Sequence, residues 1–138
     1  PEDLVECVAQ GVDLFDCVLP TRVGRHGALY TRRGRLDITN QRFMEQAGPL
    51  EEDCDCYTCR HFSAAYLWHL FRAKELLGSR LASIHNLRFT LRLMEGMRQA
   101  IVEGWFERFR QEFSDSYSPT NEAARREQKV KWLRARGG

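Results

Sequence analysis

The stretch CDCYTC, residues 54–59, brings three of the chain's five cysteines within six positions. A tetrahedral zinc ion needs several thiolates directed at one point, and C-x-C and C-x-x-C spacings let one tight loop provide them. The alternative is a set of free or redox-active thiols. Because the segment EEDCDCYTCR is polar and has little apolar surface that could bury thiols, zinc is favoured. The candidate ligands are Cys54, Cys56 and Cys59.

The fourth zinc ligand has to come from outside this loop, and histidine is the natural candidate. The chain has four histidines, at positions 26, 61, 69 and 85. His61 lies too close to the end of the loop to complete a tetrahedron easily, whereas a residue of a separate helix could dock over it. This reasoning favours His69 or His85 and does not distinguish between them. A site with three cysteines, one histidine and no open position would be structural rather than catalytic.

A carboxylate in an apolar segment is the second chemically unusual feature. Asp16 lies within VDLFDCVLP, which is typical of a buried strand ended by Pro20. A carboxylate there is costly unless it is paired or hydrogen-bonded, and Arg22 or Arg25 could be its partner. If the strand belonged to a barrel, however, its C-terminal end is where barrel enzymes hold their catalytic groups. Asp16 is therefore a candidate nucleophile or acid–base group, with the ion pair as the alternative.

Arg22 and Arg25 lie three residues apart in a predicted turn that contains glycine. Their planar guanidinium groups could donate hydrogen bonds to phosphates or to base edges of a nucleic acid. The net charge of +2 is too small to indicate nucleic-acid binding by itself. The residues alone thus predict a zinc-stapled domain with a buried acid beside a basic loop.

Several secondary-structure elements are predicted around these residues. The first residues, PEDLVECVAQG, indicate a short helix, and a helix followed at once by a buried strand is typical of a parallel-sheet unit. The stretch ALYTRRGRLDIT predicts a β-hairpin that turns at Arg33-Gly34. Ser63 is expected to cap a helix that Gly78 ends. Apolar spacing predicts another helix from about Leu81 to Gly104, and WFERFRQEF indicates a last short helix.

Composition restricts the class of protein. A hydrophobic content of 43% and a charged content of 29% are those of a soluble globular chain. No apolar run approaches the roughly 18 residues that span a membrane, and the N-terminus lacks the basic region of a secretory signal. An odd number of cysteines without such a signal favours a reduced, cytoplasmic protein. The missing initiator methionine predicts a processed or excised piece.

The motifs GVDLFDCVLPTR, GRHGALYT, CDCYTC and IHNLRF together resemble the C-terminal part of bacterial tRNA-guanine transglycosylase (queuine tRNA-ribosyltransferase), from residue 1 to about 113. The resemblance implies an α/β fold, the C-terminal portion of a (β/α)8 TIM barrel with a helix-rich zinc-binding subdomain. Residues 1–50 would end the barrel, 51–116 would form the zinc subdomain and closing helices, and 117–138 a charged tail. The implied ligands of one structural zinc are Cys54, Cys56, Cys59 and His85.

The resemblance also implies an activity. The family exchanges the wobble guanine of tRNAs with a GUN anticodon for a 7-deazaguanine, which in bacteria is the queuosine precursor 7-aminomethyl-7-deazaguanine. Asp16 matches the family's nucleophile, and Arg22 and Arg25 match residues that read the uridines beside the target base. The base pocket and a second catalytic aspartate would lie outside this chain, so the isolated piece is expected to be inactive. The alternative is a noncatalytic zinc-stapled RNA-binding module or a partner subunit of the same fold.

A homodimer is the last expectation. Phe62, Tyr66 and His69 follow helical spacing and share one predicted face. They could belong to the core, but an apolar stripe on another side of that helix already serves this purpose. Amphipathic rings suit a surface that is wet before association and dry after it. The resemblance places residues matching these three at the subunit contact of a homodimer.

Overall fold

The computed structural model describes residues 1–118, so nearly all of the tail predicted at 117–138 lies outside the described residues. Helices and one small sheet make up this part of the chain. In chain order they are α1 (Glu2–Ala9), α2 (Leu19–Arg25), β1 (Ala28–Thr31), β2 (Gly34–Asp37), a short 3-10 helix (Gln41–Phe43), α3 (Tyr57–His61), α4 (Ala64–Arg72), α5 (Leu76–Val102) and α6 (Phe106–Ser116).

Helix α5 is the element on which most of the others pack. Its 27 residues contact α2, α3, α4, α6 and β1. Toward its N-terminus, Leu81 and Ala82 join an apolar cluster with β1 and α4; toward its C-terminus, Leu93 and Met97 join a second cluster with α1 and α6. Burying a large apolar side chain stabilises a fold by roughly 1.5–3 kcal/mol, so these clusters hold the loops in place around α5.

The predicted β-hairpin is confirmed, but its turn is formed by Arg32 and Arg33 and not by Arg33 and Gly34, because Gly34 already pairs with Thr31. Strands β1 and β2 pair antiparallel, with Tyr30 opposite Arg35, and a two-residue connection joins them. Gly34 has a φ of +128°, and a Cβ there would lie 2.6 Å from the carbonyl oxygen of Ser118. The Ser118 amide donates to the Arg33 carbonyl at 3.1 Å, so the residues just after α6 lie against the hairpin.

The strand predicted to contain Asp16 is absent from the structure. Residues 12–18 form no regular element, and Pro20 lies in the first turn of α2, where its fixed φ and missing N–H are tolerated. A strand requires a neighbour with which to exchange hydrogen bonds. The sheet within residues 1–118 has two strands, and neither pairs with this segment. Membership of a barrel therefore stays a prediction.

The helix after the cysteine loop ends earlier than its sequence indicates. Ser63 caps α4 as predicted, since its hydroxyl accepts from the Tyr66 amide at 3.1 Å. The helix stops at Arg72, and Lys74 takes a positive φ of 59° that reverses the chain. Gly78 lies inside α5, where a Cβ would be 3.1 Å from that of Leu70. It permits close packing of α4 against α5 and does not terminate a helix.

Candidate metal centre and its surroundings

The cysteine loop is held against α5 before any metal is considered. Cys56 caps the short helix α3, and its Sγ accepts from the Cys59 amide at 3.3 Å. The buried Thr58 hydroxyl donates to the Leu81 carbonyl at 2.7 Å. Because Leu81 lies one helical turn before His85, this bond places the loop beside that histidine.

Three cysteines and His85 converge on one point. Their ligand atoms all lie within 4.8 Å of one another, and the four residues are buried. His85 Nδ1 is 3.7, 3.6 and 3.4 Å from the Sγ atoms of Cys54, Cys56 and Cys59 respectively. Tetrahedral zinc with Zn–S of about 2.3 Å and Zn–N of about 2.0–2.1 Å would place sulfur and nitrogen about 3.6 Å apart. The donor set and its spacing therefore fit zinc.

The orientation of His85 suits a metal ligand. Its Nε2 lies 2.7 Å from the Tyr30 carbonyl oxygen, to which it donates, and this leaves Nδ1 facing the sulfurs. His69, the alternative that spacing left open, is exposed on α4 and lies outside the cluster. The tertiary structure thus decides for His85.

The charges that the cluster would carry with its thiols deprotonated favour a bound cation. Hydrogen bonds with Cys56 and Cys59 lower the pKa of the Cys54 thiol, whereas the neighbouring sulfurs raise the pKa of Cys59. Burial disfavours a charged His85, but hydrogen bonds with Cys54 and Cys56 raise its pKa to about 10. Several thiolates in one buried site are unfavourable without positive charge, which a divalent metal supplies.

An ion-pair network that the sequence did not reveal surrounds the loop. Asp55, between two of the ligands, accepts from Arg88 Nε at 2.9 Å and from Arg88 Nη2 at 2.7 Å. Arg88 also donates to Glu95, and Arg92 donates to the Asp53 carbonyl at 3.0 Å. The Arg88 guanidinium holds the pKa of the Asp55 carboxyl below its usual range. The sequence signal for this contact was the position of Arg88 one turn after His85 on the same helix, which places both side chains on the same face.

Asn86 is a second residue that sequence reasoning missed. It is fully buried next to His85. Its Oδ1 accepts from the Tyr30 amide, and its Nδ2 donates to the carbonyls of Pro20 and Ala28, each at 2.9 Å. One side chain therefore joins α5 to α2 and to β1. Its presence in the motif IHNLRF was the available signal.

The candidate nucleophile and arginines lie on the surface. Asp16 is exposed, so the prediction of a buried acid is wrong for residues 1–118. It makes no hydrogen bond or ion pair there, so the alternative of a pair with Arg22 or Arg25 is also absent. Arg22 and Arg25 belong to the last turn of α2, a helix where the sequence predicted a turn. Their guanidinium groups also form no ion pair in the described part of the chain.

The predicted interface residues are also at the surface. Tyr66 is 39% exposed and His69 is exposed, so neither belongs to the core formed within residues 1–118. Phe62 precedes α4, is partly buried, and stacks on Tyr66 with ring centroids 5.5 Å apart. Tyr57, 53% exposed, lengthens the row by packing 5.8 Å from Phe62.

Comparison with known proteins gives consistent matches. The family model described as queuine tRNA-ribosyltransferase matches residues 1–119. A queuine tRNA-ribosyltransferase of Dehalococcoides mccartyi strain BAV1 is 57% identical over 138 residues, which is 100% of this chain and 35% of that protein. That of Dictyoglomus turgidum is 52% identical over 96% of this chain and 34% of its own length. That of Nitrosomonas europaea is 57% identical over 83% of this chain and 31% of its own length. The chain spans about a third of the length of these relatives.

No helix among residues 1–118 is long and apolar enough to cross a membrane.

Proposed function

The chain belongs to the queuine tRNA-ribosyltransferase family, and we propose on that premise that it is the part of a tRNA-guanine transglycosylase that carries the nucleophile and a structural zinc. The full-length enzyme would exchange the wobble guanine of GUN-anticodon tRNAs for 7-aminomethyl-7-deazaguanine, a step of queuosine biosynthesis. One observation carries the proposal: Asp16, Arg22 and Arg25 are exposed without ion-pair partners in residues 1–118. Such side chains are available to an RNA substrate.

The proposed chemistry uses Asp16 as a nucleophile. Its carboxylate attacks C1′ of the target ribose, the bond from C1′ to the guanine nitrogen breaks, and guanine leaves with the electron pair. The departing guanine takes up a proton at the nitrogen that it frees. A ribosyl ester remains until a ring nitrogen of the incoming base attacks C1′, gives up its own proton and releases the carboxylate, so that one proton is taken up and one is released per exchange. A carboxylate suits both steps, because it attacks an oxocarbenium-like centre and departs from it readily, as in retaining glycosidases.

Arg22 and Arg25 would read the uridines that flank the target base. Their spacing of three residues on α2 places them on the same side of the helix. An enzyme that acts on a base inside RNA takes it out of the stack, which leaves the neighbouring bases open to planar donors. A guanidinium group offers such donors in a fixed geometry.

The metal would be a structural zinc and would take no part in the reaction. Cys54, Cys56, Cys59 and His85 provide four buried protein ligands, and a tetrahedral site filled by protein has no position for substrate. Its binding energy would stabilise the fold of the loop on α5. Thiols that must stay reduced to bind metal fit the cytoplasm.

A homodimer is proposed through the face that carries Phe62, Tyr66 and His69. A stacked aromatic pair in which Tyr66 is exposed and Phe62 is partly buried is typical of a protein interface. One subunit would catalyse while the other would help to hold the tRNA.

The test is base exchange by the full-length enzyme, incubated with tRNA and labelled guanine. The wild type should incorporate label and form a covalent RNA adduct that survives denaturation. Asp16→Ala should abolish the adduct and retain RNA binding, and Asp16→Asn should be nearly as inactive because an amide is a poor nucleophile. Asp13→Asn, an exposed acid of the same segment, is the matched control and should keep activity. Adduct formation by either Asp16 variant would reject this residue as the nucleophile.

The alternative is a noncatalytic RNA-binding module or partner subunit held together by zinc. Such a module would use the exposed Arg22 and Arg25 to bind RNA and the metal loop to hold its fold, without any chemistry at Asp16. A noncatalytic subunit should lack the nucleophile, whereas Asp16 is present. Binding of tRNA by the full-length wild type without any exchange of label would favour this alternative.

A further inference from the structure

A continuous chain of hydrogen bonds joins the metal ligand His85 to helix α2. His85 Nε2 donates to the Tyr30 carbonyl at 2.7 Å, and the Tyr30 amide donates to Asn86 Oδ1 at 2.9 Å. Asn86 Nδ2 then donates at 2.9 Å to the carbonyl of Pro20, in the first turn of α2. The two hydrogen-bond partners of Tyr30, His85 and Asn86, are consecutive residues of α5. The metal ligand and α2 are therefore both connected to Tyr30.

Asn86 has few alternatives to this arrangement. It is fully buried, and both its donors and its acceptor bind backbone groups. A buried polar group that loses its partner costs its full desolvation, so the three bonds are expected to be kept together. Gly24 adds a steric reason: a Cβ at this position would lie 3.2 Å from Asn86 Nδ2 and from the Ser83 amide nitrogen. Helix α2 therefore lies directly against the turn of α5 that contains the metal ligand, from Ala82 to Asn86.

We propose that Asn86 is a positioning residue that couples the metal centre to α2 and thereby holds Arg22 and Arg25 in place. A metal bound at His85 would fix the imidazole, which holds the Tyr30 carbonyl. Asn86 holds the amide of the same residue and joins it to α2. The coupling between the metal centre and α2 stands on these contacts. Only its consequence for RNA rests on the function proposed above.

The first experiment uses Asn86→Asp in the full-length zinc-loaded protein. Aspartate keeps an acceptor for the Tyr30 amide but removes both donors, which leaves the carbonyls of Pro20 and Ala28 facing a carboxylate. Amides of α2 should exchange hydrogen at least about tenfold faster, while those of α6 stay protected and zinc remains at one per chain. KM for tRNA should rise, with kcat changed much less. Asn40→Asp is the matched control, because the exposed Asn40 side chain serves only as an acceptor, for the Arg42 amide.

A second experiment needs no variant and covers the case in which Asn86→Asp does not fold. Zinc is withdrawn from the wild type in steps by a chelator while hydrogen exchange is followed. Loss of protection in α2 in proportion to zinc lost, ahead of α6, supports the coupling. Unchanged α2 exchange, or equal loss throughout residues 1–118, overturns it. Faster α2 exchange in Asn86→Asp without any change in KM for tRNA supports the coupling and overturns the RNA role of Arg22 and Arg25.

Discussion

His85 and Arg88 lie nearly one turn apart on α5 and hold the metal loop at two points. His85 faces the three sulfurs, and Arg88 makes a bidentate pair with Asp55 between two of them. Charge-assisted bidentate bonds fix orientation as well as position. The ligand geometry therefore depends on a residue that never touches the metal.

The assignment of the fourth ligand can be tested by replacing each of two histidines with alanine in separate variants. His85→Ala should reduce zinc below one per chain and destabilise the loop, because three cysteines leave the tetrahedron open. His69→Ala is the matched control, since His69 is exposed and lies outside the cluster, and it should retain the metal. Elemental analysis of the purified variants gives the answer. Full zinc in His85→Ala, or loss of zinc in His69→Ala, would contradict the assignment.

Removal of the Arg88 ion pair should loosen the site without removing a ligand. Arg88→Met should release zinc to a chelator several-fold faster than the wild type at neutral pH. Because Arg88 lowers the pKa of Asp55, the pair contributes at every pH above the ordinary carboxyl pKa and is lost as pH falls through the lowered value. Arg108→Met, which breaks the exposed pair with Glu112 on α6, should release zinc at the wild-type rate. Equal rates for the two variants would show that Arg88 has no part in retention.

At the scale of elements, α5 carries the metal ligand and also receives α2 by close backbone contact. Gly24 makes this contact possible, because a Cβ at this position would press on the Ser83 amide nitrogen and on the Ala82 carbonyl carbon. Both atoms belong to the backbone of a long helix and cannot yield easily. The small residue is therefore required by packing and not by the conformation of the chain.

Gly24→Ala should accordingly destabilise the fold. Overpacking at a tight contact costs roughly 1–3 kcal/mol, and the displaced α2 should also bind RNA less well if Arg22 and Arg25 contact it. Gly48→Ala is the matched control, since a Cβ at Gly48 meets no atom within 4 Å. Chemical denaturation of both variants measures the difference. An unfolding free energy of Gly24→Ala equal to that of the control would mean that α2 adjusts without cost.

At the scale of the whole molecule, apolar side chains remain exposed along residues 12–19 and on the C-terminal half of α5. Leu14 is 90% exposed, and Leu91 and Ile101 lie on the open side of the long helix. Patches of this kind mark surfaces that contact another part of a protein. They fit the prediction that this part of the chain packs against the rest of a barrel.

The isolated chain is therefore expected to lack activity. Alone it should bind a hydrophobic dye and exchange no labelled guanine, because its apolar surface is uncovered and the other catalytic residues are expected elsewhere. The full-length enzyme should bind little dye and exchange base. Measurable exchange by the 138-residue chain would contradict this expectation.

Dimerisation can be tested by replacing Tyr66 and His69 with alanine in the full-length enzyme. The double variant should sediment as a monomer at concentrations where the wild type is a dimer, since the stacked aromatic surface is lost. Its zinc content should not change, because neither residue is a ligand. A double alanine variant at Arg108 and Gln111, exposed on α6, controls for general surface effects. A dimer that persists at sub-micromolar concentration would exclude this face as the contact.

The sequence by itself determined the features that depend on local spacing. Three cysteines within six positions indicated a metal loop, turn residues predicted the hairpin, and a helical period predicted most of the long helix. These follow from the short-range geometry of the chain and its side chains, which neighbouring residues largely define.

Only the tertiary structure decided which distant residues meet. It selected His85 over His69 and brought Arg88 to Asp55. It also ended α4 at Arg72. Gly78, which was expected to end that helix, lies inside α5 and packs against Leu70. The segment around Asp16 shows the same limit, since its apolar pattern is that of a strand but a strand forms only beside another strand. Contacts between residues far apart in sequence depend on how whole elements pack, which no local pattern contains.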